Sequence, residues 1–219
     1  MKYNSIVLYG RNLVEITGGS IVSSLIGIFA NNVTIVNQSL ISTKGNGFSS
    51  ATGYGCGYFD EILNQLLGCT GSGGSYGGFG GSSWPDNCNL MISRPPYQLN
   101  KYPTSPGSGG GFFLPGIKEA SSGGGVINIQ ANTIDIWNSL VEANGKAGTQ
   151  GGGGGSGGSV ALDYMKISGN STISADGGEG KSSGGGGRLW LWNHNWQFQE
   201  YNQFLNQFKI TAKGGSGCL

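Results

Sequence analysis

The densest set of side chains suited to recognising a ligand lies near the end of the chain, in the stretch 188–198. Trp190, Trp192, Trp196 and Phe198 cluster around His194, with Asn193 and Asn195 between them. Aromatic faces stack on the C–H surfaces of sugar rings while amides bond hydroxyls, so this composition suits carbohydrate. The competing reading is packing. In Leu189-Trp190-Leu191-Trp192 a period of two puts the leucines on one face of a strand and the tryptophans on the other. Phe198, Tyr201, Leu205 and Phe208 suggest a short amphipathic helix over 196–208 that would cover the tryptophans and make them core. Packing is the favoured reading, and glycan binding by Trp190, Trp192, His194 and Trp196 is the alternative.

Catalysis finds less support. Hydrolysis of a glycosidic bond needs paired carboxylates, one acid and one base or nucleophile. Asp135, Asp163 and Asp176 are isolated in the sequence, and neither an Asp-Asp nor a Gly-His-Gly element occurs. β-Elimination with calcium needs clustered carboxylates supplying six or more oxygens, and none is visible. Arg188 opens a strand after glycine, where snorkelling or bonding a turn is its ordinary use. His194 between two asparagines reads as a surface turn residue. No catalytic residue, metal or cofactor is expected, and polysaccharide cleavage by a lyase or hydrolase is a second alternative.

The cysteines Cys56, Cys69, Cys88 and Cys218 allow three pairings that sequence alone does not separate. With no CxxC and only one histidine, a zinc site is a weak rival. A disulfide within 56–88 is expected, because Cys56 and Cys69 bracket a two-turn helix over 59–67 that is too short to be stable alone. Cys218 would pair with Cys88 or beyond this segment. Disulfides require an oxidising compartment, and Asn32, Asn37 and Asn170 head glycosylation sequons. An extracellular or cell-surface location follows as an expectation. No secretory leader and no apolar run of bilayer length is visible, so signal and anchor would lie elsewhere in a longer polypeptide.

These groups need elements to hold them, and the chain supplies a repeat. Ile41-Ser42-Thr43-Lys44-Gly45, Val141-Glu142-Ala143-Asn144-Gly145, Ile173-Ser174-Ala175-Asp176-Gly177 and Ile210-Thr211-Ala212-Lys213-Gly214 share one apolar–polar–small–polar–Gly pattern. Short alternating runs precede the first three: Val33-Thr34-Ile35, Ile134-Asp135-Ile136 and Met165-Lys166-Ile167. A unit that cannot bury its own apolar face and recurs in this way is one coil of a solenoid. Strands of two to four residues punctuated by Asn and Gly favour a parallel β-helix over a sandwich. Aligning the tags places Asp135 opposite Lys166 and Asn144 opposite Asp176. The expected layout is one elongated domain over 1–219. Coils fill 1–45 and 126–219, and a Gly/Tyr/Pro-rich excursion fills 46–125.

Composition narrows the partners. Charged residues make up 11% of the 219, with a formal net charge of +1. That leaves no basic stripe for phosphates and excludes nucleic acid as the expected partner. Aromatics at 11% and clean Ile/Val runs exclude a disordered chain. Glycine supplies 45 residues without a G-X-Y period, which excludes collagen. The runs GGGGGSGGS and GGGG lack the lysine of a phosphate loop and precede a strand rather than a helix. Their expected role is structural: backbone bare of side chains stacks coil on coil, or forms polyproline-like segments packed close together.

The ordered series Gly71-Ser-Gly-Gly-Ser-Tyr-Gly-Gly-Phe-Gly-Gly81, PTSPGSGGG, GGGVINI, GGGGGSGGSV, ISADGGEG and GGGGRLWL resembles the glycine-rich, pectin-lyase-like repeat of very large surface proteins of unicellular eukaryotes. The resemblance covers about residues 70 to 215. It implies a right-handed parallel β-helix, extracellular exposure and membership of a long polypeptide, and it implies no defined activity. Tyr76 departs from the pattern, which carries histidine there. The expected fold is thus all-β, a right-handed parallel β-helix with glycine-rich loops, one long excursion and one or two short helices. The expected function is a non-catalytic structural or adhesive module, with glycans or neighbouring surface proteins as partners and no membrane insertion.

Overall fold

The computed structural model describes residues 4–58, 70–82, 93–98, 102–112, 121–149, 151–194 and 207–216. Among these the regular structure is nearly all β. The strands are β1 (Ser5–Thr17), β2 (Ser20–Val22), β3 (Leu25–Val36), β4 (Leu40–Ser42), β5 (Val126–Ile136), β6 (Leu140–Glu142), β7 (Ser159–Gly169), β8 (Thr172–Ser174), β9 (Arg188–Asn193) and β10 (Lys209–Thr211). Odd-numbered strands form one five-stranded sheet, β1-β3-β5-β7-β9, and even-numbered strands a second, β10-β8-β6-β4-β2. Every pairing is parallel. Each long strand and the short strand after it therefore make one layer, and layers stack on layers.

The short runs expected along 5–36 are fused into strands of 12 and 13 residues, and side-chain parity shows where they bend. In β3 the fully buried residues are Ile26 and Ile28, then Val33 and Ile35. In β5 they are Ile127 and Ile129, then Ile134 and Ile136. An odd step between the two pairs is incompatible with a straight strand whose side chains alternate. Each long strand accordingly has two arms meeting near residues 31 and 132, and both arms send their apolar side chains to the same interior. Ile41, Val141 and Ile173 of the second sheet complete that core, all fully buried. Burial of each such side chain stabilises by roughly 1.5–3 kcal/mol.

Serines close the corner between the sheets. Ser39, Ser139 and Ser171 are buried, and the amides of Ser39 and Ser139 donate to the hydroxyls of Ser139 and Ser171 in the next layer, at 3.2 and 3.0 Å. Ser171 Oγ in turn donates to the Ile136 carbonyl at 2.9 Å. Asn37 and Gln38, with φ of 59° and 61°, turn the corner in one layer, and Asn138 alone, at 48°, turns it in the next. The tags do similar work across layers. The Asp176 amide donates to Asn144 Oδ1 at 2.7 Å, and the Lys213 amide donates to Asp176 Oδ1 at 2.7 Å. Asn144 thus lies opposite Asp176 as expected. Asp135 does not lie opposite Lys166: it pairs with Ser168, which donates to its carboxylate, while Lys166 pairs with Thr133. The corner runs from Ile35 to Ile41, from Ile136 to Val141 and from Gly169 to Ile173, one residue shorter in each successive layer, so equal spacing along the sequence conceals a slip in register. Ile35 does pair with Ile136, and Ile167 pairs with Ile134.

The glycine runs form the rest of the body. In the segment 152–158 the amides of Gly153 and Ser156 donate to Gly111 and Ser108. Those of Gly154 and Gly157 donate to Ser182 and Gly185, and those of Gly155 and Gly158 to Lys146 and Ala143. Partners repeat every third residue, which is the turn of a polyproline II helix, a conformation without internal hydrogen bonds. The segment 71–76 behaves alike: Gly71 and Gly74 donate to Gly151 and Gly154, Ser72 and Ser75 to Tyr58 and Gly55, Gly73 and Tyr76 to Gly81 and Gly78. A Cβ built on Gly153, Gly155, Gly157 or Gly158 would collide with the backbone carbonyl of Ser72, Ser122, Ala175 or Gly125 respectively. None of these four has a left-handed φ, so closeness rather than backbone freedom requires glycine here. Segments of the 46–125 excursion supply several of these partners. The excursion is threaded through the bundle, with Tyr76, Ser72, Ser75 and Ser108 fully buried.

Cys56 carries a free thiol, so it forms no disulfide in this structure. Cys69, Cys88 and Cys218, the helix expected over 59–67 and all but the end of that expected over 196–208 lie outside the described residues. Phe208 is buried in the core, in contact range of Gly169 on β7.

Replacing Gly155 with alanine forces a methyl group into the Ser122 carbonyl and is expected to destabilise the fold by about 2–3 kcal/mol. Gly19, with nothing within 4 Å of its hypothetical Cβ, is the control, and Gly19→Ala is expected to change stability by less than about 0.5 kcal/mol. Urea midpoints of the two variants check this pair of values.

Candidate functional site

The first sheet turns one set of side chains to the core and the alternate set outward. Leu189 and Leu191 of β9 pack against the core, so Trp190 and Trp192 lie on the opposite face, where both are half-buried. Register carries this face across the sheet: Asn128, Ala161 and Trp190 form one row, and Gln130, Asp163 and Trp192 the next. The segment expected to cover the tryptophans is outside the described residues except for its last two positions, and Trp196 lies outside them as well.

The two tryptophans are stacked, with ring centroids 5.5 Å apart and planes inclined by 5°. Residues two apart on one strand face bring the rings side by side without strain. Tyr102, from the excursion, reaches the same face. Its hydroxyl donates to Asn128 Oδ1 at 2.6 Å and accepts from Gln130 Nε2 at 3.3 Å, and its ring meets Trp190 edge-on at 6.3 Å. Tyr102 therefore spans from β5 to β9 across the β7 row position held by Ala161, which is buried.

His194 closes the other side. Trp192 Nε1 donates to His194 Nδ1 at 3.3 Å, and His194 Nε2 contacts the Asp163 carboxylate. Because Nδ1 accepts, the proton of the neutral ring sits on Nε2 and is donated to Asp163; the tautomer is assigned from this pattern. The imidazole thereby fixes the edge of Trp192. Asp163 is not isolated, as its sequence context suggested, but paired with the one histidine of the chain.

Asp135, Asp176 and Glu142 are engaged elsewhere. Asp135 accepts from Ser168, and Asp176 accepts from the Lys213 amide and from Thr211 Oγ1. Glu142 is buried and accepts from Ser42 Oγ and Asn144 Nδ2, both at 2.9 Å. Among the described residues no three His, Cys, Asp or Glu side chains converge as a metal site would require. The sequon asparagines Asn32, Asn37 and Asn170 are exposed. Two of their sequons also have a structural use, since Ser39 and Ser171 are the corner serines and Asn170 Oδ1 accepts from the Asn138 amide.

Sequence reasoning found the tryptophans and His194 but not Tyr102, Asn128, Gln130 or Asp163. Asn128 and Gln130 stand at the polar positions of Val126-Ile127-Asn128-Ile129-Gln130, a visible alternation whose polar half marks the outer face. Nothing in the sequence signals that Tyr102, in an irregular segment, folds back onto it.

Comparisons with protein-family models, with curated proteins and with solved structures return no match.

Burial pushes the Tyr102 hydroxyl above its ordinary value of 10.0, and the Asp163 charge adds to the rise, while its hydrogen bonds with Gln130 and Asn128 act against it. Burial likewise raises Tyr76, whose hydroxyl donates to Gln98 Oε1 and touches Ser159 Oγ, each at 2.8 Å, and raises Tyr97 further still. A tyrosine raised in the folded state ionises more readily when unfolded. Its stabilising contribution is complete below the unfolded value and is lost as pH rises through the folded one. The expected result of an alkaline titration followed by tyrosinate absorbance is a fraction of the signal that appears only together with unfolding. Full ionisation of all nine tyrosines in one step with the fold intact would contradict this burial.

Proposed function

We propose that this chain is a non-catalytic structural and adhesive module of an extracellular surface protein, and that it binds carbohydrate on the outer face of its first sheet. The reading takes the layers as coils of a right-handed parallel β-helix, braced on one side by the polyproline II bundle. The observation that carries it is the plate formed by Trp190 and Trp192. It is stacked, tied to His194 and Asp163, bordered by Tyr102 and the amides of Asn128 and Gln130, and mounted on strands whose other side is core. A sugar ring presents an apolar C–H face and a rim of hydroxyls, and this arrangement offers an aromatic plane beside amide donors and acceptors. Little ordering entropy remains to be lost on binding, because the plate is held before the ligand arrives.

A non-catalytic role is favoured because the described carboxylates do not form the opposed pair that glycosidic hydrolysis requires. Asp163 is committed to His194, and Asp135 and Asp176 to backbone and hydroxyl donors in other parts of the layers. The glycine-rich order that resembles the repeat of large surface proteins agrees with a scaffolding role outside the cell.

The test is a glycan array followed by titration of any saccharide retained, on the full chain and on Trp190→Ala. Binding is expected, with a loss of about tenfold or more in the variant, equivalent to about 1.4 kcal/mol. The saccharide is expected to be recovered at its original length. Absence of any saccharide binding, or binding indifferent to Trp190→Ala, would overturn the adhesive reading. Depolymerisation abolished by Asp163→Asn would overturn the non-catalytic one.

A further inference from the structure

The tryptophan plate occupies one end of the outer sheet face, on β9. At the other end, on β1 and β3, the same row continues in register as Tyr9, Phe29 and Gln130. Gln130 joins the two ends, because its amide donates to the Tyr102 hydroxyl whose ring meets Trp190. Five strands about 4.8 Å apart make this row roughly 19 Å long, enough for several sugar rings in line.

β1 is irregular at this place. Gly10 pairs with Ala30 and Leu13 pairs with Asn32, so Arg11 and Asn12 together stand against the single residue Asn31. A bulge of this kind re-aims the side chain it carries, and Arg11 is turned into a groove of about 310 Å³ lined by Tyr9, Gly10, Arg11, Phe29, Ala30, Asn31 and Gln130. That volume sits at the small end of ligand clefts, roughly 300–1,000 Å³. Tyr9 is 82% exposed, far more than packing asks of an aromatic ring. Among the described residues the Arg11 guanidinium has neither an ion-pair partner nor a hydrogen-bond acceptor. A planar fork of five donors is thus open beside two aromatic rings and two amides.

We propose that this groove is a subsite for an acidic sugar, a hexuronate unit of the chain that the outer face binds. Arg11 takes the carboxylate through two parallel N–H···O bonds, the geometry in which a guanidinium outperforms a lysine. Tyr9 and Phe29 pack on the C–H face of the ring, and Asn31 and Gln130 meet its hydroxyls. The inference rests on the carbohydrate reading of the same face and adds the charge class of the ligand. A carboxylate fits better than a phosphate monoester, since the groove supplies one cation and no further base to match a fuller anionic charge; a sulfate ester, a monoanion like the carboxylate, is separated by the titration below.

The experiment is calorimetric titration of the full chain at low salt with a hexuronate tetramer, its carboxyl-reduced neutral counterpart and a sulfated neutral tetramer. Arg11→Gln and Arg11→Lys are measured in parallel. The acidic tetramer is expected to bind about tenfold tighter than the neutral one. Arg11→Gln should erase that preference, and Arg11→Lys should retain only part of it. Neutral binding without an acidic preference, or a preference that survives Arg11→Gln, would overturn the subsite while the carbohydrate reading stands. A preference for the sulfated tetramer would overturn the carboxylate assignment. If none of the three binds, both readings fall together.

Discussion

The structure depends on how closely one peptide backbone can approach another. In the bundle around 152–158, carbonyl oxygens of neighbouring segments occupy the space where a Cβ would stand. A polyproline II segment makes no hydrogen bonds within itself, so all its amides and carbonyls point sideways and must be met by neighbours or by water. Ordering glycine costs more backbone entropy than ordering any other residue. Lateral hydrogen bonds of about 1 kcal/mol each, with Cα–H···O contacts beside them, offset that cost only when every side of the segment is occupied. This is why the excursion is part of the body: Ser108 and Gly111 accept the amides of Ser156 and Gly153, which no strand of either sheet reaches.

The bundle and the sheets share one spacing. Ala143, the residue after β6, accepts from Gly158, immediately before β7, and Gly187 donates to Ala175 just before β9 begins. For β5 and β7 the register is therefore held at both ends, by corner serines on one side and by glycine backbone on the other. The outer face inherits this precision. Rows of outward side chains line up across five strands because the apolar rows beneath them are in register. Trp190 can stack on Trp192 and Tyr102 can reach across Ala161 because the strand positions do not wander.

Legibility of the sequence followed the side chains. Where apolar residues alternate, as in Val126-Ile127-Asn128-Ile129-Gln130, the strand and its two faces are readable, and the tags correctly place Asn144 opposite Asp176. Where a corner changes length, equal spacing misleads, which is how Asp135 was matched to Lys166 rather than Ser168. A glycine run has no side-chain pattern at all, so close packing is readable from composition while the threefold order of partners is not. Contacts between distant segments were the least visible part of the site. Asp163 and His194 are 31 residues apart and meet only because β7 and β9 are neighbours.

Hydrogen–deuterium exchange resolved to the amides of 153–158 shows whether the glycine bundle is a bonded part of the fold. If lateral backbone bonds hold this bundle, these glycine and serine amides exchange only with global unfolding, as slowly as those of Ile129 and Leu162 in the central strands. Exchange at the rate of an unstructured glycine chain, with the strands still protected, would show that the bundle is a set of linkers and that the sheets stand without it.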